Sequence, residues 1–464
     1  MKNKLHYFSI LFCMSFFVNA QTTFSSKNII TITGDQPYRM ISGDFNNDGN
    51  VDLIVATFGD NTIELYSNDG TGSFSLHSSL INTLDGITGI KFVDLNGDTF
   101  EDIVACSYNN DKVVWFANDA GGGGNYGTEQ TISSSINGAS GLAVGTIDAG
   151  TSVDIAVSAI DDNTIVWFSN NGTGLFTGPT TLDNTLTSPD TITLEDLDGD
   201  TDLDALVVTN QSTSTNVVEI FRNNGTGTFT KDASSVASGL NYLSEAISVD
   251  YDGDANLDIL VTVLGETSGA GSLIWFEDNG AGFTSTPITT SFGNPSMVRM
   301  KDLDNDSMDD LIVSSGAVAD VNDLIWFKNN GSGSFGPEQV IDNTQNQAYV
   351  FELADFDNDT YPDIASSAYN DDHLSWFENQ YYILGLDDED KDTFGIYPNP
   401  SSDKLNFRST TSQDFDVSVY DILGKKIIET TKNINTSLDI STLETGIYIL
   451  KLNDFSKTYK FVKQ

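Results

Sequence analysis

An all-β chain, a seven-bladed β-propeller followed by a small C-terminal β-sandwich, is the fold this sequence predicts. Three observations carry the prediction. One unit recurs seven times along residues 21–380, at a spacing of 50 to 54 residues. Each unit alternates short apolar runs with Gly- and Asx-rich turns, and no long helical periodicity appears. A stretch of different composition, residues 394–464, follows an acidic linker at 381–393.

The N-terminus reads as an export signal over residues 1–20. Lys2 and Lys4 precede a mostly apolar run from Leu5 to Val18, and Val18-Asn19-Ala20 offers a small-residue cleavage site. The run is too short for a comfortable membrane span, and no other stretch offers one. Phe12 before Cys13 argues against a lipid anchor. Cleavage near Ala20 leaves Cys106 as the one cysteine, so no intramolecular disulfide can form. A secreted chain without disulfides needs another staple, and bound metal is one.

Each repeat reads as an apolar strand, an aspartate-rich loop, a strand such as Leu-Ile-Val-Ala, a strand ending Trp-Phe, and then Asn-Asn-Gly-Thr-Gly-x-Phe. Four short strands per unit make one blade. A blade cannot cover both its faces alone, so neighbours stack and the ring closes. The seventh unit stops at Asn379 without its last strand, while Asn28–Ile32 resembles the strand that follows Phe74. The N-terminal strand is therefore expected to complete the seventh blade and pair two exposed edges.

The loops begin at Asp44, Asp94, Thr146, Asp196, Asp250, Asp302 and Asp355. In the first, Asp44, Asn46, Asp48 and Asp52 stand at positions 1, 3, 5 and 9, with Gly49 at position 6 for the sharp turn. Alternate oxygen side chains converging on one point form the flexible, oxygen-rich shell that Ca²⁺ prefers over the stricter octahedron of Mg²⁺. The same set recurs as Asp94, Asn96, Asp98 and Asp102; Asp196, Asp198, Asp200 and Asp204; and Asp250, Asp252, Asp254 and Asp258. It recurs again as Asp302, Asp304, Asp306 and Asp310, and as Asp355, Asp357, Asp359 and Asp363. The third loop offers only Asp148 and Asp154 beside Thr146 and Gly150, so no tight site is expected there. About six structural calcium sites follow, with dissociation constants on the order of 10⁻⁴–10⁻³ M. Asp and Asn also make good turns. A turn needs only one of them, however, and clustered carboxylates without a cation repel.

These loops, with the Asn-Asn-Gly-Thr-Gly-x-Phe strands, resemble the FG-GAP/VCBS repeats of integrin-type β-propellers over roughly residues 24–380. Residues 394–464 resemble the C-terminal sorting domain of the Bacteroidetes type IX secretion system. The resemblance lies in Tyr397-Pro398-Asn399-Pro400, Val419-Tyr420-Asp421-Ile422-Leu423-Gly424-Lys425, Leu443-Glu444-Thr445-Gly446-Ile447-Tyr448 and the terminal Lys460-Phe461-Val462-Lys463. It implies Sec export, contact with the type IX machinery through residues 394–464, and release or surface attachment after the sorting domain is cleaved. The segment's own alternation at Asp416–Tyr420, Lys426–Glu429 and Ile447–Leu452 reads as a small antiparallel sandwich.

The charge is uneven. Residues 21–380 carry 54 acids and 9 bases, whereas 394–464 carry 8 acids and 9 bases. So acidic a ring excludes nucleic acid and anionic lipid as partners, since both need Lys/Arg clusters. Trp115, Trp167, Trp275, Trp326 and Trp376 share one repeat position, filled by Leu65 and Ile220 in the other two units. They read as inter-blade core rather than sugar platforms. Asx-rich hairpins ring the face opposite the loops: Asp60-Asn61, Asn109-Asn110-Asp111, Asp161-Asp162-Asn163, Asn322-Asp323 and Asn370-Asp371-Asp372. They offer either a polar ligand rim or plain turn chemistry. Beyond the signal only His77 and His373 are present, and no catalytic motif appears. The sequence thus favours a non-enzymatic module binding a protein or glycan, with a polysaccharide hydrolase or lyase as the alternative.

Overall fold

A computed structural model describes residues 24–80, 82–119, 123–210, 215–264, 271–280, 282–289, 294–316, 322–331, 333–381, 394–397, 400–409, 415–421, 424–432, 436–452 and 457–464. The expected signal at 1–20 and the linker beyond Tyr381 lie outside these residues. The chain divides into two compact units, residues 23–380 and 381–464.

In the first unit the described residues form seven antiparallel sheets and no helix. The first blade shows the plan: Pro37–Gly43 innermost, then Asp52–Thr57, Ile63–Asn68 and the outer Phe74–Ser79. The inner strands of the next six are Ile87–Val93, Ala139–Gly145, Pro189–Glu195, Leu243–Val249, Pro295–Lys301 and Phe351–Ala354. Second strands such as Asp52–Thr57 are buried at every residue, which is why they read as unbroken apolar runs. Outer strands are exposed: Phe74–Ser79 has no buried residue.

The seventh blade is closed by the N-terminal strand Asn28–Thr31, with Asn28 opposite Trp376 and Thr31 opposite His373. Phe24 bridges to Asn379, and the Ser25 amide donates to the Glu378 carbonyl at 2.8 Å. The edge pairing expected from the sequence is present.

Six apolar clusters fill the seven interfaces between blades, one of them spanning two. Phe45, Ile54 and Leu65 meet Ile87, Ile103 and Phe116 between the first two blades. The cluster that joins the ends of the ring packs Trp326 with Phe351, Phe356 and Trp376, and with Met40 and Tyr66. Trp115, Trp167, Trp326 and Trp376 are buried and Trp275 is half-buried, as inter-blade core. The glycine of Gly-x-Phe in the next blade makes room for Trp115, Trp167, Trp275 and Trp376. A Cβ on Gly72, whose φ is +71°, would lie 2.2 Å from the Trp376 ring, and one on Gly174 would lie 2.4 Å from Trp115.

The second unit has a three-stranded sheet of Phe394–Tyr397, Lys404–Ser409 and Leu438–Asp439. A four-stranded sheet of Lys426–Lys432, Phe415–Asp421, Gly446–Leu452 and Lys457–Lys463 accompanies it. Both sheets contribute to one core, Leu405 and Phe407 meeting Phe415, Val417, Leu450 and Phe461.

Candidate metal centres

Every aspartate loop joins an inner strand to the buried second strand of its blade. The loop closes on itself because its first carboxylate accepts the amides that follow. Asp44 takes the amides of Asp48 and Gly49 at 3.0 and 2.9 Å; Asp196 takes those of Gly199 and Thr201 at 2.7 and 2.9 Å. Asp355 does the same with Asp359 and Thr360.

The turn differs from the sequence expectation of Gly at position 6. Only Gly49 satisfies it. Apart from the third, the other loops put Gly or Asn at position 4, and Thr99, Thr201, Ala255, Ser307 and Thr360 at position 6 with φ from +72° to +83°. Side chains in this left-handed region cost of order 1–3 kcal/mol each and persist only where the surroundings over-determine them. Here the first aspartate's bonds to the loop amides hold the turn.

In four loops three carboxylates converge, with one ligand atom from each lying within 4.8 Å of the others. They are Asp196, Asp198 and Asp200; Asp250, Asp252 and Asp254; Asp302, Asp304 and Asp306; and Asp355, Asp357 and Asp359. The loops at Asp44 and Asp94 have Asn46 and Asn96 in the middle position, and each accepts the amide of the aspartate two residues on. In the third loop Asp148 is occupied otherwise, accepting from the Gly150 amide and the Ser169 hydroxyl.

Position 9 has a second duty. In all seven blades its Oδ1 accepts a backbone amide at the end of the third strand or two residues past it, at 2.7–2.8 Å: Asn68, Asn118, Asn170, Asn223, Asp278, Asn329 and Asn379. In six of them Oδ2 also takes the amide at loop position 2, as Asp363 does with Phe356 at 2.9 Å. The degenerate third loop keeps this clasp through Asp154, so Asp52, Asp102, Asp154, Asp204, Asp258, Asp310 and Asp363 tie loop to sheet. The asparagines extend the tie between blades. Asn68, Asn118, Asn170, Asn223 and Asn379 donate from Nδ2 to the carbonyls of Phe356, Phe45, Leu95, Ile147 and Leu303, each in the preceding blade. The sequence shows this Asn as part of a turn motif; its reach to the preceding blade is visible only in three dimensions.

The electrostatics suit a cation. Burial, reinforced by the other loop carboxylates, pushes Asp52 and Asp310 up to about 7, Asp102 to about 6 and Asp363 to about 8. Burial and then Asp359 raise Asp357 to about 6. Asp304 Oδ1 and Asp52 Oδ2 are buried without a partner. Two loops carry an internal counter-charge that the sequence reading missed. Lys328 Nζ bonds Asp304 and lies 2.8 Å from Asp306. Arg222 Nη1 lies 2.8 Å from Asp204 and 3.9 Å from Asp198. Both precede the clasp asparagine, where the other blades have Ser67, Ala117, Ser169, Glu277 and Glu378. Two bases at this one phase of so acidic a repeat were the available signal.

The Asx hairpins on the opposite face perform turn chemistry. Asn61, Asp111, Asn163 and Asp372 adopt positive φ and accept the amides of Gly86, Gly138, Ser188 and Gln36 at the entry to the next blade. His77 lies edge-on to Phe45, and His373 Nδ1 is 3.1 Å from the Asp371 carbonyl.

The FG-GAP-like repeat pattern matches residues 44–105, 196–261, 250–313 and 302–366, together half of the chain. The chain belongs to the FG-GAP-like repeat family. Its matches pass over the degenerate third loop. Residues 395–464 match the secretion system C-terminal sorting domain, so this FG-GAP propeller is a type IX cargo, directed to the cell surface or beyond. No curated protein gives a significant match. Among solved structures, BBS1N in complex with ARL6DN, soaked with mercury, aligns at TM-score 0.51 and 9% identity, covering 77% of this chain and 97% of that one. The same complex soaked with lead gives 0.53, 9%, 78% and 98%. This likeness is one of fold. No helix among the described residues is long and apolar enough to cross a membrane.

Proposed function

We propose that the FG-GAP ring is a calcium-stapled module that binds a protein or glycan at or beyond the cell surface. The observation that carries the metal reading is the convergence of three carboxylates at one phase of the repeat, beside the buried carboxylates of Asp52 and Asp102, which have no cationic partner among the described residues. Cys106 is buried and free, so no disulfide supplies the staple. Positions 1, 3 and 5 would hold Ca²⁺, with the position-9 aspartate able to join from the second lone pairs of its oxygens. The ion would supply positive charge that fixes the loop. The loops at Asp44, Asp94, Asp250 and Asp355 are open to it, with Glu277 and Glu378 adding acid beside the last two. The loops at Asp196 and Asp302 already carry Arg222 and Lys328.

The binding role is supported by the regular ring, the export tag and the absence of a catalytic motif from the sequence. The test has two arms. Chelation is expected to lower the melting temperature, and Ca²⁺ to restore it better than Mg²⁺; no response to chelation overturns the metal reading. Glycan and protein arrays probed with residues 21–380 test the binding role, and turnover on a polysaccharide panel overturns it.

A further inference from the structure

The seven inner strands enclose a channel of about 320 Å³, within the roughly 300–1,000 Å³ range of ligand pockets. Three of the nine bases in residues 21–380 line it: Arg39, Lys91 and Arg299. Outside it, Lys112, Arg222, Lys231 and Lys328 each pair with a carboxylate, Lys27 donates to the Thr344 carbonyl, and Lys301 is exposed to solvent. Within it, Arg299 pairs with Glu245 at 2.8 Å, and Glu352 accepts from the Ser42 hydroxyl at 3.1 Å.

Arg39 and Lys91 are different. Among the described residues neither has a carboxylate within ion-pair distance. The Arg39 guanidinium donates to the Tyr38 carbonyl at 3.1 Å and lies 4.1 Å over the Tyr38 ring, which leaves most of its five N–H donors free. The Lys91 ammonium makes no hydrogen bond, and burial holds its pKa below the ordinary lysine value, with Arg299 adding to the effect. Two half-buried cations without a carboxylate in ion-pair contact face one void, with Glu245 acting on both from further off, Asp190 on Arg39 and Glu352 on Lys91. At the channel end remote from the aspartate loops stand Tyr38 and Tyr349, with ring centroids 5.1 Å apart, and Asp190, which holds the Ser140 hydroxyl and the Asn210 amide. A carboxylate on Arg39 and Lys91 would place a hydroxylated body against these tyrosines and within reach of Asp190 as an acceptor.

We propose that the channel is a binding site for a small organic carboxylate carried on a hydroxylated body, of hexuronic-acid size. The proposal rests on the reading of the ring as a binding module and names its site. The test is isothermal titration of the calcium-loaded full chain with D-glucuronate, D-glucose and D-glucosamine. Glucuronate is expected to bind once per chain, at least tenfold tighter than glucose, with glucosamine weakest. Lys91→Met and Arg39→Gln should each weaken glucuronate more than tenfold. Lys91→Arg should retain it, and Lys112→Gln, which breaks the pair with Glu129, should leave it unchanged. Glucuronate binding no tighter than glucose, or equally tight in Lys91→Met, overturns the proposal. The wild-type comparison decides by itself if a variant fails to fold. A glycan captured on arrays equally by wild type and Lys91→Met removes the channel as the site and leaves the module reading standing.

Discussion

Lys328 offers a direct way to convert a tethered cation into a metal site. Its ammonium bridges Asp304, 3% exposed at the side chain, and Asp306, 27% exposed, while Lys328 itself is 31% exposed. Replacing it with Ser, the residue found at positions 67 and 169, leaves three converging carboxylates uncompensated. Breaking a fully buried pair costs about 3–5 kcal/mol, and a surface pair about 0–1. A pair with one buried and one partly wet partner should therefore cost roughly 1–3 kcal/mol in chelator. Calcium offsets most of this loss. At 2 mM Ca²⁺ and a dissociation constant of about 10⁻⁴ M, an added site contributes about 1.8 kcal/mol through mass action. Lys328→Ser should thus melt well below wild type in chelator and close to it in calcium. Calcium titration should count one more site per chain. An unchanged count, with the same loss of stability in both buffers, refutes the view that Lys328 holds the place of a metal.

The remaining predictions concern the clasp, the loops and the interfaces. Asn170→Ala removes donors to the buried carbonyl of Leu95 and the half-buried one of Val153, at 2.8 and 2.9 Å. At roughly 1–3 kcal/mol per acceptor left unpaired, denaturant titration should show a loss of about 2–4 kcal/mol. Gly72→Ala drives a methyl into Trp376 at a φ of +71° and should cost roughly 3 kcal/mol or more in the same titration. Gly49→Ala meets nothing within 4 Å and should cost only about 1 kcal/mol for its φ of +91°. The raised carboxylates also set a pH dependence for the metal-free ring. Asp52, Asp310 and Asp363 hold their protons up to about 7 to 8, above the unfolded value near 3.8. The stability they contribute is therefore complete below that unfolded value and is lost as pH rises through 7 to 8. In chelator the melting temperature should be higher at pH 5.5 than at pH 8.0, and the increment given by calcium should shrink at pH 5.5 as protons compete. A flat profile in chelator would contradict the burial of these groups.

Much of this was readable from the chain. The seven-fold spacing identifies the blades because each sheet needs the same strands and turns. The unpaired ends at Asn28 and Asn379 identify the closure because an edge strand seeks a partner. The Trp position was readable too, since Leu65 and Ile220 fill it in two blades and an apolar slot is all they share with an indole. What escaped depends on distance between blades. Nothing in Asn170 as a letter says that its amide reaches Leu95, seventy-five residues earlier. Lys328 looks like a surface base until the strand pairing sets it over Asp304 and Asp306. The turn at position 6 escaped for another reason: the loop imposes left-handed φ on Thr99 and Thr360 against their local preference, so the expected Gly was not required.

The blade built from both ends has a mechanical consequence. Asn28 and Trp376 are about 350 residues apart, so joining them costs about 5 kcal/mol in loop-closure entropy beyond a constant. The latch therefore forms late, after the other six blades have something to close upon. Both ends of the ring leave from this one sheet, and Asn28–Thr31 lies at its outer edge. Tension applied there would peel four residues like a zipper, one bond at a time, and open the circle while every aspartate loop stayed intact.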